Sequence, residues 1–201
     1  MDIQQLICAV QAAVGVAVDG KPGPQTWTAI AQRLIPDQAA TLADNSSADL
    51  DPKSKKTIDT LLPPVRPYAI ALIQKARLNG ITIKIISGLR TYEEQDALYA
   101  RGRPDNGPTV TNAKGGQSNH NFGIAFDIGI FEGGKYLGNS PKYKAVGVLA
   151  MDLGLEWGGN WKTFKDEPHY QLRPSWASGM TERDMLAALR KRKTDQQEVF
   201  V

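Results

Sequence analysis

The chain contains two histidines, His120 and His169, and each lies near a carboxylate. His120 sits in Ser118-Asn119-His120-Asn121-Phe122-Gly123-Ile124-Ala125-Phe126-Asp127, and His169 follows Asp166-Glu167-Pro168. Two imidazoles and one carboxylate form a standard open zinc set, with the fourth position left for water. A centre of that kind can serve hydrolysis, because the metal makes water a nucleophile near neutral pH. Spacing alone does not settle the matter. The helical HExxH pattern is absent, and two unrelated histidines in plain core or surface roles are the alternative. Cys8 is the single cysteine, so an intramolecular disulfide and a thiolate-rich metal site are both excluded. Any metal here is bound by nitrogen and oxygen.

The elements that must position these residues belong to an ordinary globular chain. Its 201 residues are 41% hydrophobic and 22% charged, with a net charge of +3. That length supports one sizeable core, or one core with a small appendage. No basic tract with interleaved aromatics is present, so nucleic-acid binding is not expected. No apolar run reaches membrane-spanning length, so stable membrane insertion is not expected either. Met1 to Val18 carries Asp2 early and glutamines among its apolar residues, which fits an amphipathic helix better than a signal peptide.

Three regions follow from the patterning. Ile3, Leu6, Ile7, Val10 and Val14 recur at helical spacing, and Thr26 to Leu34 gives a second helix with Trp27, Ile30, Ala31 and Leu34 on one face. Residues 1–36 form this helical unit. Residues 37–51, centred on Asp44-Asn45-Ser46-Ser47, are a linker without periodicity. Residues 52–201 are the third region. There Val65 to Ala76 is a helix stopped by Asn79-Gly80, and β-branched Ile81 to Ile86 is a strand. Thr91 and Glu94 make a capping box that opens a helix through about Ala100. Phe122–Ile130 is expected as a strand, Lys142–Leu153 as a helix and His169–Leu172 as a strand. Thr181 and Asp184 open a last helix through Leu189, with basic Arg190 to Lys193 at its end. The mixture, lacking a βαβ rhythm, predicts an α+β fold: a small antiparallel sheet with flanking helices holding the site, preceded by the helical unit.

The string Ser118-x-His120-x-x-Gly123-x-Ala125-x-Asp127, followed by Asp166-x-x-His169, resembles the zinc-dependent peptidases of bacterial cell-wall metabolism. That family includes D-alanyl-D-alanine carboxypeptidases and L-alanyl-D-glutamate endopeptidases. Ser87-Gly88-Leu89-Arg90-Thr91-Tyr92-Glu93-Glu94-Gln95, Leu98-Tyr99, Gly102-Arg103 and Gly154-Leu155-Glu156-Trp157-Gly158-Gly159-Asn160-Trp161 extend the likeness to the second branch, over roughly residues 55–172. The resemblance implies one zinc ion held by His120, Asp127 and His169. It implies Asp166 as general base, Arg90 as the residue that binds substrate or polarises the scissile carbonyl, and Ser118 as a substrate contact. Glu167 is the rival to Asp166, but neighbouring side chains of an extended segment point opposite ways, so only one faces the metal. Trp157 and Trp161, flanking Gly158-Gly159-Asn160, are expected to wall the substrate cleft, with core packing as the alternative. Asp105-Asn106-Gly107-Pro108 is expected as a turn bordering the cleft.

Val18-Asp19-Gly20-x-x-Gly23-Pro24-x-Thr26-Trp27 resembles the core of peptidoglycan-binding helical modules. The alternative is a helical hairpin packed on the catalytic domain. Together the resemblances imply a peptidoglycan endopeptidase that cleaves the L-alanyl–D-glutamate bond, similar to a phage endolysin; a monomer is expected. It would be made in the cytoplasm without a signal peptide and act on the cell wall, in the periplasm, after release. A D-alanyl-D-alanine carboxypeptidase is the nearest rival activity, and a non-catalytic wall-binding protein with a structural zinc is the rival of another class.

Overall fold

In a computed structural model, residues 2–39, 50–101, 103 and 110–201 are described. The expected cleft-border turn at Asp105 to Pro108, and the Asp44 to Ser47 core of the expected linker, lie outside these residues. Two helices come first, α1 (Ile3–Val14) and α2 (Pro24–Leu34). Asp2 caps α1 in a capping box with Gln5, and Gly15 ends it in the left-handed region at φ 75°. Helix α2 begins at Pro24, two residues before the expected start, because proline at the first turn lacks only an N–H that would be unpaired anyway.

The interior of this helical pair differs from the apolar stripe expected of α1. Ile3 and Leu6 are exposed, and the buried residue of the helix is Gln11. Its amide donates to Asp19 Oδ1 at 2.7 Å, the Lys21 carbonyl at 3.0 Å and Thr26 Oγ1 at 3.2 Å. Its carbonyl accepts from the Gly20 N–H at 2.8 Å. The turn between the helices is therefore organised by one buried amide. Trp27 is 61% exposed. Gly23 lies so close to Tyr68 and the Leu153 carbonyl that a Cβ there would meet that carbonyl at 2.8 Å.

The larger part is α+β. Helix α3 (Pro52–Asp59) was not expected, because Ile58 is its one buried apolar residue and no periodicity betrays it. It is specified by its start: Asp51 accepts from the Ser54 N–H and Pro52 takes the first position. Then come α4 (Arg66–Leu78), β1 (Thr82–Ser87) and α5 (Tyr92–Ala100), the last opened by the expected Thr91–Glu94 box. Strand β2 (Ala125–Glu132) turns through Gly133-Gly134 into the short β3 (Lys135–Leu137), where both glycines hold positive φ. Helix α6 (Lys142–Asp152), β4 (Glu156–Trp157), β5 (His169–Gln171) and α7 (Glu182–Thr194) complete the chain.

The sheet runs β1-β2-β5-β4 with β3 beside β2, and every pairing is antiparallel. Ile83 and Ile85 of β1, and Phe126, Ile128 and Ile130 of β2, point into one core with Leu72 of α4 and Val146 of α6. The period of two sends Asp127 to the opposite face. A smaller cluster of Phe122, Ile124, Met185, Leu186 and Leu189 seats α7. Two expectations need correction here. Asn119–Phe122 is a 3-10 turn, not the start of the strand, because Gly123 at φ 67° breaks the chain direction before β2. Helix α7 runs on to Thr194, so Lys191, Arg192 and Lys193 lie inside its last turn.

Candidate metal centre and catalytic cleft

Three elements bring the site together. Asp127 of β2 stands directly opposite His169 of β5, and its other neighbour is Ser87 at the end of β1. His120 comes from the 3-10 turn just before β2. The register between β1 and β2 shifts after Ile85, which re-aims the chain toward Arg90. The Arg90 N–H bonds the His120 carbonyl at 3.0 Å, and the Asn121 side chain bonds the Arg90 carbonyl at 2.9 Å. The loop and the turn therefore hold each other.

The donor atoms form a nearly equilateral triangle. His120 Nε2 is 3.2 Å from Asp127 Oδ1 and 3.2 Å from His169 Nδ1, and His169 Nδ1 is 3.3 Å from Asp127 Oδ1. The edge of a tetrahedron with zinc-to-ligand arms of about 2.05 Å is about 3.3 Å, so the set fits the ion. The remaining ring nitrogens agree. His120 Nδ1 bonds the Gly88 carbonyl at 2.8 Å, and His169 Nε2 bonds Gln171 Oε1 at 3.0 Å. Both partners accept, so each imidazole turns its free lone pair toward the triangle. Among the described residues this is the one cluster of three such groups.

The electrostatics follow from the crowding. Burial works to raise the Asp127 carboxyl, but the charges of His120 and His169 and their hydrogen bonds outweigh it and hold it well below the usual carboxylate range. Burial works to lower His169, yet the hydrogen bond and charge of Asp127 raise it above the ordinary imidazole value. Asp166 goes the other way from Asp127: burial and the negative charge of Asp127 raise it, and His169, His120 and Arg90 offset this only in part. A raised carboxyl beside a metal triad suits proton transfer.

The cleft over the triad holds about 610 Å³, within the range of small-ligand sites. Ser118, Arg90 and Asp166 line it with the triad. Arg90 is tied down on several sides. It donates to Gln95 Oε1 at 2.8 Å and Ser87 Oγ at 2.9 Å, and its Nη2 lies 3.6 Å from Asp127 Oδ2. Its first visible task is to hold the outer oxygen of Asp127. Asp166 sits in a tight turn whose carbonyl accepts the His169 N–H at 3.1 Å. Glu167 is absent from the cleft lining. It is half-buried, and its charge acts on Tyr170 and Tyr143 behind the sheet.

Trp157 is the clear correction. It is 8% exposed, belongs to the main core and donates Nε1–H to the Glu167 carbonyl at 2.8 Å. Gly147 and Gly159 press on its ring so closely that a Cβ on either would overlap it. It packs beneath the site and cannot wall the cleft. Trp161 does so, with its ring centroid 4.9 Å from that of His169. The sequence offered two tryptophans four residues apart; β-strand alternation could not choose between them because a 3-10 turn at Gly158–Asn160 intervenes. Gln171, Gln95 and Asn121 were also missed, since buried amides carry no spacing signature.

This is the layout of a metal-dependent hydrolase, and comparison with known proteins gives it a family. Residues 111–172 match a family model described as D-alanyl-D-alanine carboxypeptidase. The peptidoglycan L-alanyl-D-glutamate endopeptidase CwlK of Bacillus subtilis (strain 168) is 40% identical over 125 residues, covering 57% of this chain and 75% of CwlK. The L-alanyl-D-glutamate peptidase of Listeria phage A118 is 32% identical over 125 residues, covering 60% of this chain but only 41% of the phage protein. The solved structure of the Serratia marcescens L-Ala D-Glu endopeptidase ChiX is 25% identical, with a TM-score of 0.45 over 66% of this chain and 90% of that one. The chain belongs to this family of zinc-dependent cell-wall peptidases.

Proposed function

We propose that the protein is a zinc endopeptidase that hydrolyses the L-alanyl–D-glutamate bond of peptidoglycan stem peptides. The observation that carries this is the triangle of His120, Asp127 and His169 with Asp166 beside it in one cleft. The activities named for CwlK and the phage A118 peptidase support the choice of bond.

Each residue then has a task. His120 Nε2, His169 Nδ1 and Asp127 Oδ1 would hold the ion. Zinc bound there supplies Lewis acidity and makes water a nucleophile near neutral pH. Asp166 takes a proton from the attacking water on its carboxylate and delivers it to the leaving amine of D-glutamate. Arg90 keeps Asp127 in place and presents its guanidinium edge to the scissile carbonyl or a substrate carboxylate. Ser118 and Trp161 orient the peptide, one by hydrogen bonding and the other by its ring.

Purified wall or a synthetic stem peptide tests this by product mass. Release of a peptide that begins with D-glutamate is expected. The description of the matched family keeps one rival in view, a D-alanyl-D-alanine carboxypeptidase, and loss of a single terminal D-alanine would establish that rival instead. Activity that survives both a chelator and the Asp166→Ala substitution would favour a non-catalytic wall-binding role for this chain, with a contaminant doing the hydrolysis.

We further propose that residues 1–36 bind wall, residues 37–51 link and residues 52–201 catalyse, in a monomer that degrades wall as phage endolysins do. The resemblance of Val18 to Trp27 to wall-binding modules and the exposed Trp27 ring support the first part. Tethering would raise the local substrate concentration. Trp27→Ala in the full chain is expected to weaken sedimentation with insoluble wall and to leave the hydrolysis of soluble stem peptide unchanged.

A further inference from the structure

Beside His169 lies a polar cluster that the proposed reaction does not use directly: Gln171 and Asn119 are buried, Glu156, Arg173 and Glu182 are half-buried, and Asn119 and Glu182 also line the cleft. Gln171 is two residues on from His169, on the same face of β5, and is fully buried. Its Oε1 accepts from His169 Nε2 at 3.0 Å and from Asn119 Nδ2 at 2.5 Å. Its Nε2 donates to Glu156 Oε2 at 2.7 Å and to Glu182 Oε2 at 3.4 Å. Arg173 clamps both carboxylates, through Nε to Glu156 and through Nη2 to Glu182 at 2.9 Å. The Asn119 amide also reaches Glu182.

This arrangement permits one orientation of the Gln171 amide. Turned over, its carbonyl would face two carboxylates and its NH₂ would face the Asn119 NH₂, losing the contacts to Glu156, Glu182 and Asn119. The carbonyl therefore faces His169. A carbonyl only accepts, so His169 must carry its proton on Nε2, which leaves Nδ1 as the lone pair aimed at Asp127 and His120. The charges that settle this lie on other elements: Glu156 on β4, Arg173 just past β5, and Glu182 in the first turn of α7.

We propose that Gln171 is a positioning residue for His169, oriented by the Glu156–Arg173–Glu182 cluster, and that it sets the affinity of the metal centre. The proposal rests on the reading of His120, Asp127 and His169 as metal ligands. Loss of an outer partner of a ligating histidine typically weakens metal binding 10- to 100-fold.

The test is the zinc dissociation constant of the full chain, measured by competition with a chromogenic chelator. Gln171→Met keeps the volume and removes the acceptor, and a rise in dissociation constant of about 10- to 100-fold is expected. Gln171→Glu keeps an acceptor for His169, so its zinc affinity is expected to stay at least as tight as the parent's, even if repulsion from Glu156 and Glu182 lowers its melting temperature. A loss of general packing would lower both alike. The proposal is overturned if Gln171→Met binds zinc as the parent does, or if Gln171→Glu is weakened as much as Gln171→Met. Should Gln171→Met fail to fold, the Gln171→Glu affinity decides, with tenfold weakening overturning the proposal. A parent chain that binds no zinc would sink the metal reading itself, whereas a zinc-binding parent with an equally zinc-binding Gln171→Met removes only the role of Gln171.

Discussion

His120 and His169 meet through unlike nitrogens, Nε2 of the first lying 3.2 Å from Nδ1 of the second. The difference comes from their backbones. His120 stands on a 3-10 turn and reaches over Gly88, so its near nitrogen is used on that carbonyl and its far one faces the triangle. His169 stands on a strand directly across from Asp127, so its near nitrogen already faces the triangle and its far one reaches back to Gln171. Substituting either histidine by alanine removes one of three ligands. Zinc affinity is expected to fall by more than the 10- to 100-fold typical of outer partners, with hydrolysis lost in step. Metal analysis of the purified variants checks this, and a stoichiometric zinc in either one would be the contrary result.

Asp166→Asn separates chemistry from metal binding. The side chain lines the cleft but lies outside the donor triangle. The variant is expected to keep its zinc and to lose about 10²- to 10⁴-fold in kcat, the usual range for a positioned acid or base. Full kcat with zinc retained would assign the proton transfer elsewhere.

Gly158→Ala tests how the turn carrying Asp166 is held. A Cβ there would meet the Asp166 carbonyl at 2.4 Å and the His169 Cβ at 3.1 Å. Both are backbone or near-backbone atoms, so the turn itself must move. A cost of about 1–3 kcal/mol is expected, as for overpacking elsewhere, together with a fall in kcat even at saturating zinc. Unchanged melting and turnover would mean that the turn yields freely.

Trp157 and Trp161 should behave oppositely. Trp157→Ala empties a core position and is expected to cost about 3–5 kcal/mol. Trp161→Ala alters the cleft wall, so KM is expected to rise while denaturant unfolding stays within about 1 kcal/mol of the parent. Urea titration and steady-state kinetics on the two variants give the comparison.

Asp51 offers a pH test remote from the metal. Burial tends to raise its carboxyl, but its hydrogen bonds with Ser54 and the charge of Lys84 bring it below the ordinary aspartate range. A folded pKa below the unfolded one means stability that is present above the unfolded pKa and is lost as pH falls through the folded value. Asp51→Ala is therefore expected to cost at most about 1 kcal/mol near neutrality, since the cap is largely solvated. The difference should vanish in acid below the carboxylate range. Equal losses at neutral and acid pH would show that the charge is not what caps α3.

Much of this was legible in the sequence because it is encoded locally. The Thr91–Glu94 box, the Asn79-Gly80 stop and the β-branched run of β1 specify their elements with no help from the rest of the chain. The order of His120, Asp127, Asp166 and His169 marked the metal centre once it was joined to the surrounding motif. Helix α3 escaped notice because its specification lies in one cap and one proline, and its buried face is mostly supplied by its neighbours.

What the tertiary structure alone decided are the relations between strands. The pairing of Asp127 with His169, the choice of Trp161 over Trp157 and the amide of Gln171 behind His169 all depend on register across β2, β4 and β5. Register is a long-range quantity: a slip of one residue sends each side chain to the opposite face. Residue types and spacing thus determined which groups could do the chemistry, and packing of the sheet decided which of them face one another.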